Sequence, residues 1–205
     1  REALRTAQVL GSPVLVVVTG GQGAFTPRHV RGLVIDTLRQ LGDRAATSGL
    51  CLALQPMHRR FARKTSLVAT LADSIELLEQ VNHPAVGLAL DLFALGGGEG
   101  FVSQLPSVVR HCSLVTLSDA PLQPAGEYDR VPLGQGVLPI KSSILALEHW
   151  GYRGHYEFQS LSEQAWGRDY SEVLQEAVSW FDQEIRAEDL LPLSALPRGE
   201  QAKTR

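Results

Sequence analysis

The chain has 205 residues, a formal net charge of −3, 44% hydrophobic residues and 20% charged residues. This length and composition are typical of one folded domain and exclude a disordered or low-complexity chain. An acidic balance gives no general attraction to phosphate backbones, and the longest apolar run, at 14–18, is far below the roughly eighteen residues of a membrane span. We therefore expect a cytoplasmic protein with neither a nucleic-acid nor a membrane partner.

Short apolar, β-rich runs alternate along the chain with longer segments of helical periodicity. The predicted strands are 13–19, 50–55, 86–91, 113–118 and 156–159. The predicted helices are 2–10, 29–48, 66–82, 98–110, 140–150 and 168–184. Strand and helix alternation requires parallel strands with right-handed crossovers, so we expect an α/β fold, either a doubly wound sheet or a barrel.

The two ends of the chain and its cysteines give further expectations. The first residue is Arg1 and the only methionine is Met57, so we expect a fragment or a processed form. Residues 1–186 are predicted to form a partial domain, and the polar, proline-containing segment 187–205 a tail outside the core. Cys51 and Cys112 begin strands that are not consecutive, which favours reduced core thiols over a disulfide.

Two glycine-rich segments follow predicted strands. The segment G-G-Q-G at 20–23 lacks the full G-x-G-x-x-G spacing of a dinucleotide-binding turn. The run at 96–98 opens a predicted helix and fits either an anion-binding turn or a flexible strand-to-helix loop.

The carboxyl ends of the strands are the places to seek chemistry in a barrel, and the segments around them carry a resemblance. In chain order these segments are L-A-L-Q-P-M-H at 52–58, V-G-L-A-L-D-L-F-A at 86–94, V-T-L-S-D at 115–119, R-V-P-L-G-Q-G at 130–136 and G-Y-R-G-H-Y-E-F-Q at 151–159. They resemble the motifs of the sugar phosphate isomerase/epimerase family of xylose isomerase-like TIM barrels. The resemblance implies a (β/α)8 TIM barrel, with this chain covering about strands 4–8.

The same resemblance implies a divalent metal at the barrel mouth, held by Glu, Asp, His and Glu from successive strands, that polarises a sugar carbonyl or enediolate. Here those four positions are Gln55, Asp91, Thr116 and Gln159, so three of the four expected ligands are replaced. Hard divalent cations are held largely by carboxylate charge, and amides cannot transfer protons at neutral pH. We expect either no metal or weak binding of Mn²⁺ or Mg²⁺.

Three further side chains are candidates for the mouth of the barrel. His58 is in register with a family histidine and, with Asp91, is the predicted catalytic residue. Arg130 precedes the P-x-G loop, where it suits a substrate hydroxyl or phosphate, and Gln159 is also placed among the substrate-binding residues. Asp119 either orients Arg130 or only ends its strand.

A cationic segment follows the second predicted strand. It contains Arg59, Arg60, Arg63 and Lys64 in an otherwise acidic chain. Such a cluster attracts a phosphate or carboxylate, so Arg59 and Arg60 are candidate substrate-binding residues, although a solvated loop explains the same pattern.

These observations leave the function open between two main hypotheses. The first is a divergent sugar or sugar phosphate isomerase/epimerase that acts on or binds a small polyhydroxylated carbohydrate, either neutral or anionic. The second is a non-catalytic TIM-barrel binding module that has lost the metal site. A weaker third, an endonuclease-IV-like phosphodiesterase, lacks its extra zinc ligands here. An open barrel also leaves two free sheet edges, so association with a second copy is an additional expectation.

Overall fold

The computed structural model describes residues 2–185, except the side chains of Arg63, Glu163 and Gln164, and the predicted tail at 187–205 lies outside them. The strands are β1 (Val14–Val17), β2 (Cys51–Leu54), β3 (Val86–Asp91), β4 (Cys112–Leu117) and β5 (His155–Phe158). The helices are α1 (Glu2–Val9), α2 (Pro27–Thr47), α3 (Leu71–Val81), α4 (Leu92–Leu95), α5 (Phe101–Val108), α6 (Ile140–His149), α7 (Glu163–Trp166) and α8 (Tyr170–Glu184). Short 3₁₀ turns occupy Ala62–Lys64 and Val109–His111.

The five strands form one parallel sheet in the order β1-β2-β3-β4-β5, with helices in the connections. Every neighbour in the sheet is also the next strand in the chain, which is the arrangement of a barrel and not of a doubly wound sheet. The structure therefore confirms the predicted fold as a half-barrel of five parallel strands.

Side chains alternate between the two faces of the sheet and so separate a helix-covered face from an inner face. The outer face carries larger side chains such as Leu54, Leu88 and Leu117, which pack with helix residues in the main core. The inner face carries a smaller apolar cluster that lies below the strand ends: Val14, Val16, Ala53, Ala89 and Leu114. This alternation decides which strand-end residues point toward the inside of the half-barrel.

An extra residue in β4, Ser113, shifts the register with β3 and makes close contacts on the inner face. The pairing of β3 with β4 shifts register between Leu88 and Ala89, and the Ser113 hydroxyl lies over Gly87. Ser113 Oγ also lies 3.1 Å from Cys51 Sγ. A Cβ atom on Gly87 would overlap Ser113, so the glycine is required by this close approach. Both cysteines are free thiols, in agreement with the sequence expectation.

Two predicted helix boundaries were wrong, for identifiable reasons. The helix predicted at 66–82 begins only at Leu71, because the Thr70 side chain caps it and Ser66 bonds the backbone of Val68. The helix predicted at 98–110 is α5 followed by a 3₁₀ turn, and its N-cap is Gly100 with φ +66°.

The sequence also gave no indication of α4. This one-turn helix follows β3 without a loop, because the Asp91 carboxylate accepts a hydrogen bond from the Phe93 N–H at 3.0 Å and caps it. The glycine run at 96–98 consequently lies between α4 and α5. No helix among residues 2–185 is long and apolar enough to cross a membrane.

Candidate functional site

Three residues at the carboxyl ends of neighbouring strands stand in one row across the inner face. Asp91 of β3 is the register partner of Thr116 in β4, and Thr116 is the partner of Glu157 in β5. Because neighbouring strands lie about 4.8 Å apart, the Cα atoms of Asp91 and Glu157 are separated by about 10 Å. The structure thus brings the predicted residues Asp91 and Thr116 together and adds Glu157, which the sequence analysis did not select.

Asp91 is fully engaged by an arginine. Arg130 Nη1 donates to Asp91 Oδ1 at 3.1 Å and Arg130 Nη2 donates to Oδ2 at 2.8 Å, which is the bidentate geometry of a guanidinium–carboxylate pair. Gln55 Nε2 also donates to Oδ2, at 3.0 Å. With the capping bond from Phe93, Asp91 accepts four hydrogen bonds and is only 1% exposed.

Arg130 is held from the other sides as well. Its Nη1 donates to the Ser118 hydroxyl at 2.6 Å, and its guanidinium carbon lies 4.3 Å from the centroid of the Phe93 ring. It is only 4% exposed. The hydroxyl that orients Arg130 is therefore that of Ser118, and the guanidinium is turned toward Asp91 inside the protein.

Asp119 has a different role in the same loop. Its carboxylate accepts backbone N–H bonds of 2.9 to 3.1 Å, from Ala120 and Leu138 to Oδ1 and from Gly134 and Gly136 to Oδ2. The Asp119 carboxylate therefore holds the P-L-G-Q-G segment in shape, and its backbone pairs with Val131, next to Arg130. The alternative in which Asp119 only ends its strand is wrong for this reason.

The loops that follow β2, β4 and β5 are joined above the row. Arg60 Nη1 donates to the Pro124 carbonyl at 2.9 Å, which ties the loop after β2 to the loop after β4. A bridge between Asp129 and Ser162 ties the loop after β4 to the segment after β5. These links fix the mouth of the half-barrel around the strand-end residues.

His58 lies in this region with a defined ring orientation. Its ring centroid is 5.1 Å from that of Phe61 and 5.6 Å from that of Phe93, and its Nδ1 faces the Arg60 N–H at 3.3 Å. Burial first, and then the charge of Arg60, lower the pKa of His58 below 6.5, which keeps the ring neutral at physiological pH. Because Nδ1 accepts the hydrogen bond from the Arg60 N–H, the proton of the neutral ring is on Nε2.

Glu127 is a second residue that the sequence analysis missed. Its Oε2 lies 4.0 Å from Arg130 Nη2, and its backbone carbonyl faces Arg130 Nε at 3.3 Å. Burial raises the pKa of Glu127, and the neighbouring Arg130 charge opposes this shift only in part. No motif marked Glu127, because its position follows from the folded path of the loop after β4.

The opposite end of the row is less buried. Thr116 Oγ1 donates to Glu157 Oε2 at 3.1 Å, and Gln159 Nε2 lies 3.5 Å from the same oxygen. Glu157 and Gln159 are both half-buried. Strand alternation could have identified Glu157, since it shares the inner face with Gln159 while Tyr156 and Phe158 pack outward into the core.

Three of the four cationic side chains in the segment at 59–64 are described by the structure, and their surroundings differ. Arg59 and Lys64 are exposed, and Arg59 makes no hydrogen bond or ion pair to any residue that the structure describes. Arg60 is used in the contact with Pro124. Among Arg59, Arg60 and Lys64, only the Arg60 side chain therefore contacts the loops around the site, and the roles of Arg59 and Arg60 in binding a substrate stay predictions.

The residues at the metal-ligand positions do not fit a divalent ion in this geometry. Both Asp91 oxygens are occupied by N–H donors, and the Arg130 guanidinium would repel a second cation. Among the side chains that the structure describes, no group of three or more His, Cys, Asp or Glu is arranged to hold a metal. Weak binding of Mn²⁺ or Mg²⁺ by Gln55, Asp91, Thr116 and Gln159 stays a prediction, and it requires Arg130 to leave Asp91.

The sheet order and the position of the site at the strand ends are those of a TIM barrel. The model of the family described as xylose isomerase-like TIM barrel matches residues 1–184, so the chain belongs to this family. No curated protein sequence matches it significantly.

Solved structures show the same fold at low sequence identity. Protein SMc04130 from Sinorhizobium meliloti 1021 has a TM-score of 0.80 and 24% identity, covering 89% of this chain and 68% of that one. The IOLI protein, crystallised with a zinc atom, has a TM-score of 0.76 and 21% identity, covering 89% and 66%. The D-allulose 3-epimerase from Methylomonas sp. has a TM-score of 0.72 and 20% identity, covering 89% and 67%. The chain thus spans about two thirds of the length of these proteins.

Proposed function

We propose that this protein binds a small polyhydroxylated carbohydrate at the strand-end row and does so without a divalent metal. The observation that carries the proposal is the bidentate ion pair between Arg130 and Asp91. The cation that faces the Asp91 carboxylate is a side chain of the protein itself. This is the binding-module alternative of the two functions expected from the sequence.

The engaged hydrogen-bonding groups argue against a two-carboxylate proton transfer. Asp91 already accepts four hydrogen bonds, so neither oxygen is directed toward a substrate C–H group. Gln55 and Gln159 are amides, which neither take nor give a proton at neutral pH. The residues that resemble a metal-dependent epimerase site therefore lack the groups that such a reaction needs.

The groups that remain suit the recognition of hydroxyls. Gln159 offers an amide and Glu157 a carboxylate, both half-buried on the inner face at the end of β5, and the buried Thr116 hydroxyl orients Glu157. Sugar hydroxyls both donate and accept hydrogen bonds, so a mixed set of donors and acceptors on a half-buried surface matches them. A solved relative of the same fold is named as a D-allulose 3-epimerase, which gives this ligand class a precedent within the fold.

A second candidate, a divergent isomerase or epimerase, is favoured by His58. Its lowered pKa leaves a neutral imidazole at the mouth, next to Phe93 and the loop that carries Glu127. A neutral imidazole is the side chain best suited to accept a proton near neutral pH. In this case His58, and not Asp91, would be the base, and its Nδ1 would first have to give up the hydrogen bond from the Arg60 N–H.

Calorimetric titration of the intact protein separates these outcomes. The neutral probes are D-fructose, D-xylose and D-sorbitol, each tested in EDTA and again with added Mn²⁺. The proposal expects binding of at least one probe with the same affinity in both buffers. Binding that appears only with Mn²⁺ and is lost in Asp91→Ala would overturn metal independence, and no binding of any probe would overturn the carbohydrate site.

A proton-exchange experiment tests the second candidate. The protein is incubated with D-fructose and D-xylose in D₂O, and loss of the carbon-bound proton next to the carbonyl is followed by NMR. The binding-module proposal expects no exchange above the rate without protein. Exchange that disappears in His58→Gln would instead establish the isomerase or epimerase candidate.

A further inference from the structure

The two ends of the strand-end row differ in electrostatic state. At one end the Asp91 carboxylate is buried and matched by Arg130. At the other end Glu157 is half-buried, and none of the arginine, lysine or histidine side chains that the structure describes forms an ion pair with it. The row therefore presents one neutralised carboxylate and one carboxylate whose charge is not matched within the described residues.

The neighbours of Glu157 hold it in place but leave it able to accept more hydrogen bonds. Thr116 and Gln159 both approach Oε2, at 3.1 and 3.5 Å. A carboxylate has about four lone-pair directions, so two donors on one oxygen leave Oε1 available. Tyr156 and Phe158 on either side pack into the outer core and fix the strand, so the Glu157 side chain is directed to the inner face.

The position of Glu157 complements the replacement of the family glutamate by Gln159. Residues 157 and 159 lie on the same face of β5, one step apart along the strand. The amide of Gln159 contacts the carboxylate of Glu157. Glu157 therefore supplies a carboxylate next to position 159, where the family glutamate is replaced by an amide.

We infer that Glu157 is the residue that binds hydroxyl groups of the ligand, and that the ligand presents two adjacent uncharged hydroxyls to this end of the row. The inference rests on the proposed carbohydrate-binding function and specifies its ligand class as a neutral polyol or sugar. Since Thr116 and Gln159 occupy Oε2 of Glu157, the two lone-pair directions of Oε1 accept hydrogen bonds from two neighbouring O–H groups, and the Gln159 amide can bond a third oxygen. The negative charge of Glu157, which no described side chain matches, disfavours a phosphate or carboxylate at the same place.

The test compares neutral and anionic probes by calorimetric titration of the intact protein. The neutral probes are again D-fructose, D-xylose and D-sorbitol, and the anionic probes are D-fructose 6-phosphate and D-gluconate. Glu157→Gln keeps the shape of the side chain but removes its charge and one acceptor. We expect it to weaken binding of a neutral probe by about ten- to hundredfold, the usual effect of losing hydrogen bonds to a charged group.

Glu172→Gln is the matched control, because it makes the same chemical change at an exposed position in the first turn of α8. It should leave the affinity unchanged. Thr116→Val is a second variant that removes the hydroxyl bond to Glu157, and it should weaken binding less than Glu157→Gln. Circular dichroism of each variant checks that it folds. If Glu157→Gln does not fold, Thr116→Val still tests the role of Glu157.

The outcomes distinguish this inference from the proposed function. Wild-type protein that binds a neutral probe while Glu157→Gln and Thr116→Val bind it equally well would overturn the role of Glu157 and leave the carbohydrate site standing. An anionic probe that binds more tightly than every neutral one would overturn the ligand class. Wild-type protein that binds none of the five probes would overturn the proposed function and this inference with it.

Discussion

Arg130 and Asp91 form a buried ion pair with two parallel hydrogen bonds, at the strand-end position where the sequence predicts the one retained metal ligand. The pair links the loop after β4 to the end of β3, and Gln55 from β2 joins it through Asp91. Three neighbouring strand ends are thus connected through a single carboxylate. The pair therefore stabilises the geometry of the whole mouth.

Breaking this pair from one side should be costly. Asp91→Asn or Arg130→Met leaves the other partner buried without its counter-charge, which costs about 3–5 kcal/mol of unfolding free energy. The double variant Asp91→Asn with Arg130→Met should lose less than the sum of the two single variants, because neither member of the pair is then left charged and unmatched in the interior. Urea unfolding measures all four proteins.

Glu184→Gln is the control for these variants, since the pair of Glu184 with Lys141 is about half-exposed on both sides. It should change the unfolding free energy by no more than about 1 kcal/mol. Strict additivity of the two buried single variants would show that the ion pair does not couple the loop to the sheet.

The Asp119 carboxylate should be irreplaceable by an amide. It accepts four backbone N–H bonds, and Asp119→Asn would turn an NH₂ group toward donors of the same kind. We expect a loss of about 2–3 kcal/mol of unfolding free energy and faster amide exchange at Gly134, Gly136 and Leu138. Hydrogen–deuterium exchange measures the second effect, and unchanged protection of these amides would contradict the assignment.

Gly134 and Gly126 provide a matched pair of glycines in the same loop. Gly134 has φ +80°, and a Cβ atom there would overlap the Trp180 indole, whereas a Cβ atom on Gly126 would meet nothing. Gly134→Ala should therefore cost about 1–3 kcal/mol in urea unfolding, while Gly126→Ala should be close to neutral. Equal effects of the two substitutions would show that the loop adapts freely around Trp180.

The pKa of His58 gives a prediction with a defined sign. Burial lowers it from 6.5 in the folded protein, so the unfolded chain binds more protons in the interval below pH 6.5. The free energy of unfolding therefore increases with pH through this interval. The contribution of His58 is fully present above pH 6.5 and is lost as the pH falls below it. Urea unfolding at about pH 7.5 and about pH 5.5 should show a larger acid loss in wild type than in His58→Gln.

His29→Gln is the control for the same experiment, because His29 is exposed near the beginning of α2. It should show the same acid loss as wild type. If His58→Gln shows that loss too, the burial of the His58 ring does not contribute to the pH dependence.

The fold could be predicted from the sequence because parallel strands buried on both faces leave a repeated apolar pattern. All five strands were located, and β3 was predicted with both its boundaries as observed, Val86–Asp91. The errors occurred where a single side chain redirects the backbone. The Asp91 cap that starts α4 and the Thr70 cap that delays α3 are each local hydrogen bonds that hydrophobic periodicity does not report.

The site was predictable only in its strand-end members. Gln55, Asp91, Thr116 and Gln159 follow from the ends of predicted strands, whereas the contact of Arg130 with Asp91 depends on a long loop that folds back across the sheet. A sequence separation of 39 residues gave no signal for that contact. The resemblance even suggested a different partner for Arg130, a substrate, because related motifs describe residue types and not the direction of a side chain.

The bidentate pair has a consequence for how this site can change. A cation supplied by the chain is present once in every molecule, is beyond the reach of chelators and does not depend on the metal supply of the cell. Replacing either Arg130 or Asp91 alone leaves the other as a buried charge without a counter-charge. The two positions therefore constrain each other's substitutions. A divalent ion could bind Asp91 only after Arg130 had been displaced or replaced, and that replacement alone would leave the buried Asp91 carboxylate without its counter-charge.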